Sequence, residues 1–278
     1  MEKQILSKTG AFGMSALLKA TVAAVKLVAA EEIMPRYLKV AHQQKSDGSL
    51  CTEADLATQN ALTRKLQALC NVPVLGEEMT DDEQRQIWKS AAEGLWCIDP
   101  IDGTSNFVHG LPYFAVSVAL MRDGKSVLGV VYDPVSDEMF AAEAGKGAYL
   151  NGEKMFSREV VTTMNRALAN VDLKRLDTRL VEQLAIHPPY ASQRNFGASA
   201  LDWCYTAAGR YDLYLHGGQK LWDYAAGSLI LSETCGYACC IEHDDFAAGD
   251  VWQRSVIAAR NEVLFGQWKK WIRAHRGA

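Results

Sequence analysis

Apolar residues recur at helical spacing in two stretches near the start of the chain. Across residues 15–38 and again across 52–69 they fall three and four positions apart, which places them on one face of a helix. Lys19 and Lys26 interrupt the first stretch, so it fits neither the apolar core of a signal peptide nor a membrane-spanning segment. Both stretches are predicted to be amphipathic helices that pack on a protein core.

Short apolar runs and alternating positions replace the helical pattern from residue 72 onward. Residues 72–75 and 95–98 have the length and the bounds of buried strands, and the charged residues 81–85 between them predict an exposed connector. Apolar and polar residues alternate across 113–149, with turn residues at 123–125, and this pattern predicts antiparallel hairpins. The first half of the chain is therefore expected to pack helices on a largely antiparallel sheet.

The second half of the chain alternates strand and helix patterns, which is typical of an α/β arrangement. The predicted strands are 166–171, a short segment before 194, 213–215 and 256–259, and the predicted helices are 178–186, 198–208 and 223–235. We therefore divide the chain into an N-terminal α+β lobe, residues 1–151, and a C-terminal α/β lobe, residues 152–278.

Composition places the chain among ordinary globular proteins. Its 278 residues are 49% hydrophobic and 22% charged, and the formal net charge of −4 argues against a nucleic-acid-binding surface as the main function. The seven cysteines are an odd number without a Cys-x-x-Cys pair, so we expect reduced thiols and a cytoplasmic location. A zinc site at Cys235, Cys239 and Cys240 is the alternative, but adjacent cysteines make poor tetrahedral geometry.

Two aspartates follow the apolar run at 95–98. Pro100 lacks a backbone N–H and fixes its own φ, so the chain is expected to leave the sheet there and to bring Asp99 and Asp102 to one point. Two converging carboxylates repel each other unless they are protonated or bridged by a cation. A hard divalent ion such as Mg²⁺ takes oxygen ligands and keeps positions open for a phosphate, so this turn is a predicted metal site.

The next two residues predict an anion site beside the metal. Gly103 lets a ligand approach the backbone closely, and the N–H groups of Gly103 and Thr104 lie at the start of a predicted short helix. Cation and phosphate would then share one turn.

Two further acidic positions are candidate ligands. Glu77 follows the predicted strand 72–75 as Asp99 follows the next strand, and ligands of open sheets gather at strand ends. Asp223 begins the predicted helix 223–235, where an aspartate is either a cap or a ligand.

The string Asp-Pro-Ile-Asp-Gly-Thr at residues 99–104 resembles the signature of the inositol monophosphatase family, the Mg²⁺-dependent, lithium-sensitive phosphatases. The segments Gly-Glu-Glu at 76–78 and Leu-Trp-Asp-Tyr-Ala-Ala-Gly at 221–227 resemble two further motifs of the family. With residues 45–49 and 52–55, the resemblance covers most of the chain. It implies a sandwich of alternating α-β-α-β-α layers, similar to that of fructose-1,6-bisphosphatase.

The resemblance also implies how the metal is held, with two or three Mg²⁺ ions in each site. The implied ligands are the carboxylates of Glu77, Asp99, Asp102 and Asp223 and the carbonyl of Ile101, with Lys45 and Glu78 as supporting residues.

The same resemblance implies the catalytic roles. Glu77 and Thr104 are expected to orient the attacking water, and Asp55 is expected to fix the Thr104 hydroxyl. The backbone of Gly103 and Thr104 is expected to hold the phosphate. No covalent phosphoenzyme is expected.

Substrate choice is assigned by resemblance to the second lobe. Gly197, Ala198 and Ser199 are expected to face the alcohol part of the substrate. Seven residues before Asp223, where inositol-specific members commonly carry a glutamate, this chain has His216, which is able to bond a hydroxyl.

The predicted activity is hydrolysis of inositol 1-phosphate or a similar small polyol phosphate. The alternatives on the same fold are histidinol-phosphate, fructose 1,6-bisphosphate and 3′-phosphoadenosine 5′-phosphate phosphatases, since the metal motif is common to all. The resemblance also implies a homodimer. A different class of function, a regulatory partner of the transcription machinery, is the non-enzymatic alternative.

Overall fold

A computed structural model describes residues 13–39, 42–44, 50–156 and 161–277, so Lys45 lies outside the described residues. Within these ranges the helices are α1 (Ala16–Val28), α2 (Glu53–Leu69), α3 (Asp81–Ser90), α4 (Thr104–His109), α5 (Thr178–Ile186), α6 (Ser199–Ala207), α7 (Leu221–Glu233) and α8 (Glu262–His275). The helix predicted for 15–38 is shorter than expected, because α1 gives way to a π-helical segment, Ala29–Ile33. None of the described helices combines the length and apolarity needed to cross a bilayer.

The described strands form three sheets. A two-stranded sheet pairs β1 (His42–Gln44) with β2 (Leu50–Thr52). The largest sheet is ordered β3-β4-β5-β6-β7-β8-β9 and consists of β3 (Val74–Gly76), β4 (Leu95–Asp102), β5 (Ala115–Arg122), β6 (Lys125–Asp133), β7 (Glu138–Glu143), β8 (Gly147–Leu150) and β9 (Glu153–Lys154). The third is ordered β11-β10-β12-β14-β13 and consists of β10 (Leu168–Asp172), β11 (Ser192–Arg194), β12 (Leu213–Gln219), β13 (Tyr237–Cys239) and β14 (Arg254–Ala259).

Sheets and helices alternate in five layers, as predicted. Helices α1 and α2 cover the outer face of the β3–β9 sheet, α6 and α7 lie between the two large sheets, and α5 and α8 cover the far side. Side chains alternate accordingly: Trp96 packs with α1 and α2, whereas its neighbour Cys97 packs with α6 and α7. In β12, Tyr214 faces the middle layer and Leu215 faces α8. Each of the two large sheets is therefore buried on both faces.

The middle layer approaches its neighbours closely because it carries small residues. A Cβ on Gly227 of α7 would overlap the Trp203 side chain of α6, and a Cβ on Gly129 of β6 would lie 2.9 Å from the Ala226 carbonyl oxygen. Ser117 of β5 also donates a hydrogen bond to the carbonyl of Trp222 (3.2 Å). These contacts fix the first turns of α7 against the first sheet.

Two predictions about elements were wrong. Residues 81–85 are not a connector but the first half of α3, which begins at a capping box in which Thr80 and Glu83 bond each other. The strand predicted to stop at residue 98 continues to Asp102, with an irregular register against β5 between Asp99 and Asp102. The division into lobes at residue 151 stays a prediction.

Candidate metal and phosphate site

Three aspartates meet where the first sheet faces the middle helix layer. Carboxylate oxygens of Asp99, Asp102 and Asp223 all lie within 4.8 Å of one another, the only such cluster of potential ligands within the described ranges. The irregular end of β4 supplies the first two, and the first turn of α7 supplies the third. The structure thus brings together residues that are more than a hundred positions apart in the chain.

Each of these aspartates is oriented by one backbone hydrogen bond. Asp99 Oδ1 accepts a hydrogen bond from Ile101 N (3.0 Å), two residues further along the same turn. Asp102 Oδ2 accepts from Ala200 N (2.7 Å), and Asp223 Oδ2 accepts from Lys220 N (2.8 Å). Asp223 is therefore a helix-capping residue and a member of the cluster at once, so the two readings of its sequence position are compatible. Each carboxylate keeps a second oxygen for another partner.

Glu77 lies beside Asp99 because β3 runs parallel to β4. Its backbone N–H donates to the carbonyl of Ile98 (3.2 Å), and the Glu77 side chain bonds that of Asp99. Two glutamines hold this turn: Gln59 accepts from Glu78 N (3.0 Å), and Gln84 donates to the carbonyl of Gly76 (2.9 Å).

Asp55 connects helix α2 to the same site. Its Oδ2 accepts from the N–H (2.7 Å) and the hydroxyl (2.6 Å) of Thr52, while its Oδ1 faces the Thr104 hydroxyl at 3.4 Å. The same hydroxyl lies 3.0 Å from the carbonyl of Ile101. Since a hydroxyl has one hydrogen, Thr104 shares it between these two acceptors.

Electrostatics show that this donor set fits a divalent cation. Burial, and then repulsion by Glu77, Asp102 and Asp223, raise the pKa of Asp99 well above its usual range. Burial and the charge of Asp223 do the same to the pKa of Asp102. Burial raises the pKa of Asp223 to about 6. Clustered, buried carboxylates of this kind are stabilised by a hard cation such as Mg²⁺ or Ca²⁺.

The predicted substrate loop contacts the metal turn directly. Gly103 has a left-handed backbone (φ 89°), and a Cβ there would meet Ala198 Cβ at 3.1 Å. Asn106 of α4 donates to the carbonyls of Tyr113 (2.7 Å) and Phe196 (2.6 Å). The structure therefore places Gly103 directly against Gly197 and Ala198 of the predicted substrate loop.

His216 is buried in the middle of β12, where it pairs with Asp172 at the carboxyl end of β10. Its Nδ1 accepts a hydrogen bond from Gly218 N (3.0 Å), and its Nε2 lies 3.5 Å from a carboxylate oxygen of Asp172. Burial lowers its pKa to about 4, so the ring is neutral at pH 7. Both ring nitrogens face protein groups, which favours a supporting role over direct contact with a substrate hydroxyl.

Several residues of this region are not among the predicted site residues. Gln59 and Gln84 support the Glu77 turn from two helices, and Asp202 of α6 accepts a hydrogen bond from the Tyr113 hydroxyl (2.8 Å). Burial raises the pKa of Asp202 to about 7. The positive charge of Arg175, in the loop after β10, lowers the pKa of His216 and opposes the rise in the pKa of Asp223.

Comparison with known proteins agrees with this geometry. The model of the inositol monophosphatase family matches residues 14–276. An inositol-1-monophosphatase of Caulobacter vibrioides is 32% identical over 238 residues, 83% of this chain and 90% of the relative. The Nus factor SuhB of Pasteurella multocida is 41% identical over 228 residues, 79% of this chain and 81% of the relative. The solved Thermotoga maritima IMPase superposes with a TM-score of 0.80 at 26% identity, covering 92% of this chain and 96% of that one.

Proposed function

The chain belongs to the inositol monophosphatase family of phosphoric monoester hydrolases, and from that membership we propose that it hydrolyses inositol 1-phosphate or a similar small polyol phosphate in a Mg²⁺-dependent, lithium-sensitive reaction. The observation that carries the proposal is the convergence of Asp99, Asp102 and Asp223 within 4.8 Å. Phosphate monoesters hydrolyse extremely slowly unaided, so a catalyst must neutralise phosphoryl charge and position water.

The proposed metal site is formed by Glu77, Asp99, Asp102, Asp223 and the carbonyl of Ile101, with Glu78 in support. Bound divalent ions supply Lewis-acid stabilisation of the phosphoryl oxygens and a water of lowered pKa. The number of ions, two or three, is part of the proposal.

The chain's own groups position the reactants. Because Asp55 and the Ile101 carbonyl compete for the Thr104 hydrogen, the Thr104 oxygen keeps lone pairs that accept a hydrogen bond from water. Glu77, held beside Asp99, accepts the second hydrogen of the same water. The backbone N–H groups at Gly103 and Thr104 bind the phosphate, as the start of a helix favours anions.

The alcohol part of the substrate is assigned to the loop of Gly197, Ala198 and Ser199. This loop contacts Gly103, and the adjacent Ala200 N–H bonds Asp102. The proposed substrate therefore extends from the phosphate turn along this loop toward the second sheet. His216 contributes by accepting the hydrogen bond from Gly218 N and by facing Asp172 at the edge of the second sheet.

Phosphate release tests the activity. The panel is inositol 1-phosphate, histidinol phosphate, fructose 1,6-bisphosphate and 3′-phosphoadenosine 5′-phosphate, each with Mg²⁺, with chelator, and with Mg²⁺ plus lithium. We expect metal-dependent, lithium-inhibited turnover of at least one ester. The absence of turnover on all four would contradict the proposal.

The variant Asp99→Asn tests the assignment of the site. It should lower turnover by at least about a hundredfold, because it removes one carboxylate of the proposed metal site and so weakens binding of the cation that neutralises the phosphoryl charge. The matched control is Asp123→Asn in the exposed β5–β6 turn, where asparagine tolerates the left-handed backbone (φ 49°). Equal activity of the two variants would refute the role of Asp99.

A second candidate function rests on the Pasteurella multocida relative, described as a Nus factor. Here the chain would bind the transcription machinery, independently of catalysis. Co-purification with RNA polymerase that persists in Asp99→Asn would support this function, and loss of binding in that variant would speak against it. Homodimerisation and a cytoplasmic location stay predictions.

A further inference from the structure

Polar side chains of α6 and β12 form a series of hydrogen bonds that ends at the predicted substrate loop. Trp203 Nε1 donates to Gln219 Oε1 (2.9 Å), and Gln219 Nε2 donates to the Tyr214 hydroxyl oxygen (2.5 Å). The Tyr214 hydroxyl also bonds the side chain of Ser199. We call Trp203, Gln219 and Tyr214 the relay. All three are fully buried, whereas Ser199 is partly exposed, so the series runs from the interior to an accessible hydroxyl.

Packing holds the relay side chains in place. The rings of Trp203 and Tyr214 meet edge to face, with their centroids 5.5 Å apart. The Trp203 side chain lies against Gly227 of α7, and the backbone carbonyl of Tyr214 accepts a hydrogen bond from the Trp268 indole of α8 (3.1 Å). A buried donor without an acceptor costs free energy, so each hydrogen of the relay is directed to a partner within the protein.

The direction of these hydrogen bonds follows from the donors and acceptors that each group has. The Trp203 indole is a donor only, so it turns the carbonyl end of the Gln219 amide towards itself and the NH₂ end towards Tyr214. Because the Tyr214 oxygen accepts from that amide, its one hydrogen is left for Ser199. The Ser199 oxygen therefore accepts from Tyr214, and the Ser199 hydrogen is directed away from the relay.

Ser199 lies between two residues that contact the proposed metal and phosphate turn. A Cβ on Gly103 would meet Ala198 Cβ at 3.1 Å, and Ala200 N donates to Asp102 Oδ2 (2.7 Å). Within the part of the chain that the structure describes, the Ser199 hydroxyl bonds Tyr214 and no second group. Its hydrogen is therefore available to a ligand bound beside that turn.

We propose that the relay is a set of positioning residues, which fixes Ser199 as a hydrogen-bond donor to an oxygen on the alcohol part of the substrate. The inference rests on the proposed phosphatase function and assigns the donor that selects for that oxygen. A hydroxyl whose hydrogen is already oriented loses less freedom when a ligand binds. An alcohol that lacks the acceptor oxygen forfeits this bond.

Matched pairs of esters test the role of Ser199. Glycerol 2-phosphate is compared with isopropyl phosphate, and inositol 1-phosphate with cyclohexyl phosphate, because the members of each pair differ only in their hydroxyl groups. The ratio of the two kcat/KM values is the hydroxyl preference. Ser199→Ala should lower this preference by about twofold to tenfold for at least one pair, the range expected for one neutral hydrogen bond.

A double-mutant cycle tests the relay. Tyr214→Phe keeps the ring and its packing but removes the hydroxyl that orients Ser199, so it should also lower the hydroxyl preference. In a protein that already carries Ser199→Ala, the same change should have no further effect on the preference, because the donor that Tyr214 orients is gone. Gln219→Met should behave as Tyr214→Phe does, since it removes the amide that directs the Tyr214 hydrogen. Thermal unfolding checks that each variant is folded.

Tyr190→Phe is the matched control. The Tyr190 hydroxyl is also bonded to a glutamine, Gln193 Oε1 (2.5 Å), but its ring packs against Trp268 on the side of the second sheet that faces α8. Its loss should leave the hydroxyl preference unchanged. An unchanged preference in Ser199→Ala for both pairs, or an equal effect of Tyr214→Phe with and without Ser199, would overturn the proposal while leaving the phosphatase function intact.

Failure of the phosphatase function itself gives a different result, namely no turnover of any ester. Calorimetric titration of the same esters in the presence of Ca²⁺, which takes the same oxygen ligands as Mg²⁺, then decides the inference. Tighter binding of the polyol ester than of its alkyl partner, lost in both Ser199→Ala and Tyr214→Phe, would support it. Equal affinities within each pair, or no binding of either member, would overturn it.

Discussion

At the scale of single residues, Asp55 combines a structural and a proposed catalytic task. One carboxylate oxygen accepts two hydrogen bonds from Thr52 and so caps α2, while the other faces the Thr104 hydroxyl. Burial raises the pKa of Asp55 to about 6, and the bonds from Thr52 oppose that rise. The stability of the helix start and the orientation of Thr104 therefore depend on the same side chain.

The variant Asp55→Asn should show whether Asp55 does more than an ordinary helix-capping residue. The amide presents a donor to Thr52 or to Thr104, so one of the present bonds is lost. The free energy of unfolding should fall by about 1–3 kcal/mol, measured by urea denaturation. Turnover should fall by at least about tenfold, measured by phosphate release.

A matched control is Glu83→Gln. Glu83 makes the same capping-box bonds to Thr80 at the exposed start of α3 and has no part in the proposed site. Because this carboxylate is exposed to solvent, its loss should cost less stability than the loss of Asp55 and should leave turnover unchanged. If Asp55→Asn behaved like Glu83→Gln in both measurements, Asp55 would be a cap only.

At the scale of elements, α7 determines the geometry of the site. The helix lies between the two sheets, with Gly227 against Trp203, and its first turn carries Asp223. At its other end Glu233 accepts hydrogen bonds from Gly145 N (2.8 Å) and Gly147 N (2.7 Å) of the β7–β8 turn. Both ends are thus fixed to the first sheet, so a shift of α7 moves Asp223 relative to Asp99 and Asp102.

Replacing Gly227 by alanine should displace that helix. The new Cβ overlaps the Trp203 side chain, so the free energy of unfolding should fall by about 1–3 kcal/mol and turnover should fall with it. Gly266→Ala in α8 is the control, because a Cβ there meets nothing within 4 Å. It should stabilise the protein by about 0.5–1 kcal/mol through helix propensity. Thermal unfolding and phosphate release measure both, and a neutral Gly227→Ala would contradict the close packing.

Local patterns predicted most elements, and tertiary contacts explain what they missed. Periodicity and turn residues were sufficient for α2, the hairpins and α7, because these signals lie within a few positions. The entirely polar run 81–85 concealed the start of α3, because the buried residue of that helix is the polar Gln84 and its apolar contacts come from Ile87 and Trp88 further along. The bond from Ala200 to Asp102 joins residues 98 positions apart, which no local pattern encodes.

At the scale of the whole molecule, the site lies in the seam between two of the five layers. The first sheet contributes Asp99 and Asp102, the middle helix layer contributes Asp223, and α2 contributes Asp55 from the outer face. The family motifs made this grouping predictable, but the supporting glutamines and Arg175 follow only from the folded arrangement. Without a bound cation, the carboxylates that these layers bring together repel one another.

This crowding predicts how stability depends on pH in the presence of chelator. The folded-state pKa of Asp223, about 6, is above the unfolded value of about 3.9, so its charge opposes folding above pH 6 and this cost disappears as the pH falls from 6 to 4. Asp223→Asn removes the charge, so it should raise the melting temperature of chelated protein at pH 7 and have less effect at pH 5.

Comparing the variant with the unaltered protein at each pH cancels the contributions of titrating groups that do not interact with Asp223. Asp99 and Asp102 do interact with it, and relief of their repulsion adds to the gain at the higher pH. Asp123→Asn, in an exposed turn, should show no such trend. A gain from Asp223→Asn that is the same at pH 5 and pH 7 would contradict the buried electrostatics.

The bond between Ala200 and Asp102 has an evolutionary consequence. The donor is a main-chain N–H, so mutations that change the side chains of residues 198–200 leave it in place. Substitutions in that loop can therefore alter the proposed alcohol site while the bond that orients Asp102 is retained. In evolutionary terms, the proposed substrate can change while the proposed metal site keeps its geometry.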